Sequence, residues 1–203
     1  YNISAVYTQP PQKSHRGQKI NKSPIQGISE TLNIDYRTPK TLKDNHEEYE
    51  FLKELNADLA IVCAYGQIIP ENFLNLTKKG FVNIHASILP SWRGAAPIQR
   101  SIMNLDPETG ISIMKIKKEL DSGPVSNIYK IKIDQNQNAQ EISEKLSALA
   151  AEKILDNVDD IFEDKAKFID QDHSKATYAK KIDKKESLSL IHISEPTRPW
   201  SIS

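Results

Sequence analysis

Three polar side chains near the middle of the chain are suited to acyl-transfer chemistry. Asn83 and His85 lie two residues apart in the segment Phe81–His85, which predicts a short strand, so their side chains point to the same face. An amide and an imidazole in that arrangement can donate to one oxygen and stabilise negative charge developing on it. A purely structural polar pair would show the same spacing, so the pattern alone leaves both interpretations open.

The third polar side chain is Asp121, which lies in the loop 120–124 after a predicted strand. An aspartate followed by small residues can fold back toward a neighbouring strand end, where it could orient His85 or hold a water molecule. The same residue could instead bond to its own backbone and stabilise the turn. The sequence alone does not choose between these roles.

The elements that must position these residues follow from hydrophobic patterning. Strands are predicted at residues 3–8, 59–64, 81–85, 111–116 and 128–133, and helices at 46–55, 97–103 and 139–158. A further helix begins at Ser23-Pro24, with Ile25, Ile28 and Leu32 on one face. This alternation predicts an α/β domain with a mostly parallel sheet, whose ligands bind beyond the carboxyl ends of the strands. Asn83 and His85 lie at such an end.

Longer motifs surround the three polar residues. After Asn83 and His85 come Ser87-Ile88-Leu89-Pro90 and, downstream, Leu120-Asp121-Ser122-Gly123. In this combination the sequence resembles the folate-dependent formyltransferases, in which Leu usually stands where this chain has Ile88. Segments 7–10, 64–70 and 92–100 have the form typical of the members that act on methionyl-tRNA. The resemblance extends from about Tyr1 to about Glu186.

The resemblance implies a Rossmann-like formyltransferase domain whose first strand is missing, and 10-formyltetrahydrofolate as co-substrate, with no metal. Asn83 and a protonated His85 would then bond to the oxygen of the tetrahedral intermediate. Asp121 would keep His85 charged and help to move the amine proton. The wall of the folate site would be formed by Ser87, Ile88, Leu89 and Pro90.

The implied acceptor is initiator methionyl-tRNA, and a basic loop is the best candidate for RNA contact. That loop contains Arg16, Lys19 and Lys22, and cationic side chains of this kind bind phosphate backbones. A solvated surface loop would have the same composition. Arg93 has two equally supported roles, anchoring its loop by pairing with an acid or helping to bind substrate.

The resemblance also divides the chain. Residues 1–160 are predicted to form the catalytic domain, truncated at its amino end, and residues 161–187 a linker and the start of a C-terminal domain. Residues 188–203 read like a translated sequencing adapter, and we exclude them from functional reasoning.

Composition narrows the classes of protein to which the chain could belong. The chain has 27 basic and 27 acidic residues, so its net charge gives no argument for nucleic-acid or membrane binding. The single cysteine, Cys63, excludes an internal disulfide and is predicted to be a small buried side chain. No apolar stretch approaches the roughly 18 residues of a membrane span. We expect a monomer in a bacterial or organellar cytoplasm.

Two alternatives remain open at the level of sequence. A formyltransferase acting on glycinamide ribonucleotide or on an amino sugar would share Asn83, His85 and Asp121. A non-catalytic folate-binding or RNA-binding fragment would keep the fold without the transfer.

Overall fold

The computed structural model describes residues 1–14, 19–134, 136–183 and 186. The helices are α1 (Pro24–Thr31), α2 (His46–Glu54), α3 (Glu71–Leu74), α4 (Pro97–Met103) and α5 (Ala139–Phe162), and a 3₁₀ turn covers His173–Lys175. The strands are β1 (Val6–Tyr7), β2 (Gln12–Ser14), β3 (Lys19–Asn21), β4 (Tyr36–Arg37), β5 (Ala60–Val62), β6 (Phe81–His85), β7 (Arg93–Gly94), β8 (Glu108–Lys115), β9 (Val125–Lys132) and β10 (Tyr178–Ala179). The predicted elements are present, and most differ from prediction only at their ends.

The main sheet has four strands in the order β5-β6-β8-β9. β5 pairs parallel with β6, whereas β8 pairs antiparallel with both β6 and β9. The loop 116–124 between β8 and β9 contains no crossover helix, and a short connection of this kind joins antiparallel strands. β1 and β4 form a separate parallel pair, as do β7 and β10. The predicted α/β fold is therefore confirmed, and in the main sheet the parallel β5–β6 pair is joined to antiparallel pairings of β8 with both β6 and β9.

β5 is less buried than the continuous apolar run at residues 59–64 would suggest. Ile61 in this strand is 48% exposed, and Cys63 just after it is exposed too. The reason is that β5 pairs with β6 on one side only, and within the described residues no backbone hydrogen bond joins β5 to β1.

Helix α1 begins as predicted, but its orientation differs from the prediction. The Ser23 side chain accepts a hydrogen bond from the backbone N–H of Gln26 at 3.0 Å, with Pro24 in the first turn. The apolar residues Ile25, Ile28 and Leu32 are exposed, whereas Gln26 and Ser29 are buried. Gln26 donates to the Tyr36 hydroxyl of β4, so this short helix faces its strand with polar side chains. Periodicity identified the helix and assigned the wrong face to the core.

The core lies between α5 and the β8 side of the main sheet. Ile142 and Leu146 of α5 pack with Ile111 of β8, and Val82, Ile113 and Ile161 form a second buried cluster. The helix starts at a capping box in which Asn138 and Glu141 bond to each other's backbone N–H groups. This packing fixes β8, whose register with β6 sets Ser112 opposite His85.

Candidate active site

His85, the last residue of β6, lies between two oxygen acceptors. The residue is 6% exposed, its Nε2 is 2.9 Å from the carbonyl oxygen of Trp92, and its Nδ1 is 3.7 Å from Oδ2 of Asp121. A ring that carries hydrogen on both nitrogens offers a donor to each oxygen, which a neutral ring cannot do. Both ring nitrogens of His85 thus face an oxygen, Nε2 within hydrogen-bonding distance and Nδ1 just beyond it.

Asp121 is held by its backbone conformation and by a hydrogen bond across the site. Its φ is +45°, in the left-handed region that aspartate tolerates, and its Oδ2 accepts from the backbone N–H of Gly94 at 2.8 Å. The turn itself is stabilised by Ser122, whose hydroxyl donates to the carbonyl of Glu119. The Asp121 carboxylate is thus free of its own turn and directed toward His85 and Gly94.

Asn83 is the unbonded member of the three predicted catalytic residues. It lies two positions before His85 on β6 and is half-buried. Within the described residues its side-chain amide has no hydrogen-bond partner, whereas buried Asn157 bonds to Tyr129 and Lys153. An unpaired amide on the same face as His85 is a donor available to a ligand.

The loop 87–90 after β6 is held by hydrogen bonds to Ser112 of β8. The Ser112 hydroxyl donates to the carbonyl of Ser87 at 2.6 Å and accepts from the backbone N–H of Leu89 at 3.1 Å. Ser87 and Leu89 are buried, while Ile88 and Pro90 are half-buried, and the Leu89–Pro90 peptide bond is cis. In the described part of the chain, the backbone N–H of Ile88 has no partner. Of the four predicted folate contacts, Ile88 is thus the most open to a ligand.

Arg93 is buried, and its guanidinium contacts Gln171 and His173. It is 3% exposed, and its Nε and Nη2 donate to Oε1 of Gln171 at 3.1 and 2.7 Å. Nη2 also lies 3.2 Å from Nδ1 of His173, which must accept in this contact. Arg93 therefore anchors its loop, but through an amide and an imidazole. The expected pairing with an acid is wrong, since no carboxylate contacts the guanidinium within the described residues.

A segment far downstream contacts this site. The Thr177 hydroxyl accepts from the backbone N–H of Trp92, β10 pairs with β7, and Gln171 donates to the carbonyls of Asp121 and Gly123. Sequence reasoning missed this role, because a single glutamine in a polar segment carries no motif or periodicity. These contacts lie within residues 161–187, which the sequence predicts to be a linker and the start of a C-terminal domain.

The predicted RNA-binding residues are only partly described. Arg16 lies outside the described residues, and Lys19 begins β3. Lys22 is exposed and its Nζ lies 2.9 Å from both carboxylate oxygens of Glu30. This contact raises the pKa of the Lys22 ammonium above its usual value.

The part of the chain that the structure describes contains neither a cluster of metal ligands nor a membrane-spanning helix. No group of three or more histidine, cysteine, aspartate or glutamate residues there is arranged to hold a metal ion. No helix in the same residues has the length and apolar character needed to cross a membrane.

Curated relatives match most of the chain. A methionyl-tRNA formyltransferase from Pelagibacter ubique is 69% identical over 186 residues, which is 92% of this chain and 60% of the relative. A methionyl-tRNA formyltransferase from Dictyoglomus turgidum is 44% identical over 187 residues, again 92% of this chain and 60% of the relative. The chain thus spans about three fifths of the length of these relatives.

Solved structures share the fold at low identity. A phosphoribosylglycinamide formyltransferase from Anaplasma phagocytophilum has a TM-score of 0.69 and 22% identity, with 82% of this chain and 77% of that chain covered. The formyltransferase PseJ from Anoxybacillus kamchatkensis has a TM-score of 0.66 and 21% identity, with 97% and 93% covered. These likenesses establish the fold alone.

The family comparison covers the residues that form the site. The sequence profile described as Formyl transferase matches residues 1–158, which include Asn83, His85 and Asp121. That match, more than half of the chain, agrees with the α/β fold and with the resemblance found in the sequence. The chain belongs to the formyl transferase family.

Proposed function

We propose that this chain forms the catalytic part of a methionyl-tRNA formyltransferase, which transfers a formyl group from 10-formyltetrahydrofolate to the amine of initiator methionyl-tRNA. The observation that carries the proposal is the pairing of His85 with Asp121 at 3.7 Å, two residues along β6 from the unpartnered amide of Asn83. The name and 69% identity of the Pelagibacter ubique relative support this acceptor. The relatives are bacterial, so we place the reaction in the bacterial cytoplasm.

The proposed chemistry is formyl transfer through an oxyanion. The methionyl amine forms a bond to the formyl carbon, the bond from that carbon to N10 of the folate breaks, and the proton lost by the amine ends on N10. Asn83 would donate to the formyl oxygen as it gains charge, and protonated His85, with its Nδ1 turned to Asp121, would stabilise that oxyanion by its positive charge. Asp121 balances the charge of His85 and, being 15% exposed, can relay the amine proton through water. Tightening of long catalytic contacts on substrate binding is common, which suits the 3.7 Å gap.

The proposed folate contacts lie in the loop 87–90. Ser112 holds the backbone of Ser87 and Leu89, so the loop keeps its position without a ligand. Ile88 would meet the folate through its open backbone N–H and half-buried side chain, with Pro90 beside it. PseJ, which has the same fold, is described in complex with tetrahydrofolate, and this supports a folate-derived donor here.

The proposed RNA contacts are Arg16, Lys19 and Lys22. The ion pair of Lys22 with Glu30 is exposed, and exposed pairs contribute little stability, so a phosphate can replace the carboxylate at small cost. The same loop would then approach the acceptor stem while the amino acid reaches His85.

A chimera tests the proposed function. The 186 matching residues of this chain replace their counterparts in the Pelagibacter ubique relative, which supplies the remainder of its own length. The purified chimera is incubated with 10-formyltetrahydrofolate and, separately, with methionyl-tRNA, glycinamide ribonucleotide and a nucleotide-linked amino sugar. We expect formyl-methionyl-tRNA as the product. A cooperatively folded chimera that formylates another amine, or that binds folate and transfers nothing, would overturn the proposal.

A further inference from the structure

Gln171 connects two sides of the candidate site through both ends of its side-chain amide. Its Oε1 accepts from Nε and Nη2 of Arg93 at 3.1 and 2.7 Å. Its Nε2 donates to the carbonyl oxygens of Asp121 and Gly123 at 2.9 and 2.7 Å. The residue is 9% exposed, so these four hydrogen bonds are shielded from competing water.

These bonds complete a ring of contacts around Asp121. Gly94, the neighbour of Arg93, donates its backbone N–H to the Asp121 carboxylate, while Gln171 ties Arg93 back to the Asp121 carbonyl. The backbone and the side chain of Asp121 are therefore both held relative to the same β7 strand. A glutamine amide suits this position because it accepts from a cation at one end and donates to carbonyls at the other.

The segment that carries Gln171 is itself fixed at both ends. Ile169 and Val125 of β9 exchange backbone hydrogen bonds at 2.9 Å, and β10 pairs with β7 beyond the 3₁₀ turn. Gln171 is thus presented from a braced segment, which allows it to hold a loop whose own φ of +45° at Asp121 is unfavourable for most residues.

We propose that Gln171 is a positioning residue that keeps the Asp121 carboxylate directed at His85. The inference rests on the proposed function, because it assumes that the His85–Asp121 pair serves the transfer. Within the described residues Gln171 makes no hydrogen bond to His85, so we assign its effect on the transfer to its hold on Asp121.

The first test compares Gln171→Leu with a matched control in the chimera. Gln171→Leu keeps the size of the side chain and removes all four hydrogen bonds, and Gln140→Leu makes the same change at an exposed site on α5. Misplacement of a catalytic group by about 1 Å can cost roughly 100-fold, so we expect kcat to fall by about 10- to 100-fold with little change in KM. We expect Gln140→Leu to leave both parameters unchanged.

A double-mutant cycle separates positioning from general stability. Asp121→Asn removes the charge that Gln171 is proposed to aim, and asparagine tolerates the same left-handed φ. In that background Gln171→Leu should change kcat by less than about twofold, because the two residues act as a unit. Equal losses with and without the Asp121 carboxylate would overturn the inference.

A second variant keeps the test valid if Gln171→Leu unfolds. Gln171→Glu retains an acceptor for Arg93, so its segment stays anchored, but an ionised carboxylate cannot donate to the carbonyls of Asp121 and Gly123. We expect a folded, slow enzyme, because the adjacent guanidinium of Arg93 keeps the carboxylate ionised and neither carbonyl regains a donor. A wild-type rate in this variant would contradict the proposal.

Hydrogen exchange provides a readout that needs no catalysis. The backbone N–H of Ser122 bonds to Glu119 within the Asp121 loop, so its exchange rate reports opening of that loop. We expect faster exchange in Gln171→Leu and no change in Gln140→Leu. Unchanged exchange in both Gln171→Leu and Gln140→Leu would overturn the proposal that Gln171 holds the Asp121 loop. A wild-type chimera that formylates no methionyl-tRNA would instead refute the proposed function and leave this measurement standing.

Discussion

Asn83 and Asn157 are chemically identical side chains in opposite situations. The amide of Asn83 is half-buried without a partner in the described part of the chain, whereas Asn157 is buried and donates to the Tyr129 hydroxyl and the Lys153 carbonyl. A polar group that bonds to no protein atom contributes little to folding, but it can still bond to a developing oxyanion.

Alanine substitution should therefore lower the catalytic rate at Asn83 and the stability of the fold at Asn157. Asn83→Ala should lower kcat by roughly 100- to 1,000-fold, the usual cost of losing one oxyanion donor, with the melting temperature unchanged. Asn157→Ala should lower the free energy of unfolding by about 1–3 kcal/mol and leave the rate of the folded enzyme near normal. Formylation kinetics and urea denaturation of the chimera measure the two effects. A normal rate in Asn83→Ala would remove that residue from the mechanism.

Lys22 and Glu30 should affect RNA binding in opposite directions. Removing one cationic contact to a phosphate makes the slope of log affinity against log salt less negative by roughly one. Lys22→Gln should therefore weaken initiator tRNA binding and make that slope shallower. Glu30→Gln removes the carboxylate that competes for Lys22 and should tighten binding. Filter binding of the chimera across a salt series measures both changes. Lys78→Gln, which breaks an exposed pair with Asp58, is the control and should leave the slope unchanged.

The Asp121 loop depends on close backbone packing at Gly123. A Cβ at this position would lie 1.8 Å from the carbonyl oxygen of Lys115, which belongs to β8 and has little freedom to move. At Gly27 in helix α1, a Cβ would meet nothing within 4 Å. Two glycine-to-alanine substitutions thus probe very different backbone constraints.

Gly123→Ala and Gly27→Ala should change the free energy of unfolding in opposite directions. Gly123→Ala should displace the loop and destabilise the chain, and it should lower kcat because Asp121 moves with the loop. Gly27→Ala should stabilise the chain by about 0.5–1 kcal/mol, since glycine is unfavourable inside a helix. Urea denaturation gives the stabilities, and formylation assays of the chimera give the rates. A stable, active Gly123→Ala variant would mean that the loop is not packed as described.

The same loop illustrates what could be predicted from the sequence. The spacing of Asn83 and His85 and the motif around Asp121 are local in the sequence, so a pattern of residue types is enough to propose them as site residues. The strands and helices are predictable because hydrophobic periodicity is local too. The hydrogen bond from Gln171 to the Asp121 carbonyl joins residues 50 positions apart, and no local pattern encodes such a contact. Likewise, periodicity cannot state which neighbour a face meets, so α1 was given the wrong buried face.

At the scale of the whole molecule, the β1–β4 pair and the four-stranded sheet meet through side chains. Nε2 of Gln9 donates to the Tyr65 carbonyl at 2.6 Å, and Nε2 of Gln67 donates to the Pro39 carbonyl at 2.8 Å. The Tyr65 hydroxyl is buried there without a hydrogen-bond partner among the described residues. Burial and, secondarily, the Glu48 carboxylate raise the pKa of Tyr65 to about 12 and raise that of Tyr7 as well.

These shifts predict loss of stability in alkali. Above pH 10 an unfolded chain ionises its tyrosines, whereas the folded chain keeps the proton on Tyr65 until about pH 12, so the free energy of unfolding should fall as pH rises through this interval. Tyr65→Phe should flatten that fall. At pH 8 the variant should be at least as stable as wild type, because the hydroxyl it loses has no partner. Urea denaturation of the chain between pH 8 and pH 11 measures both effects, with exposed Tyr178→Phe as the control. An equally steep alkaline decline in Tyr65→Phe would show that this hydroxyl ionises as freely in the folded chain as in the unfolded one.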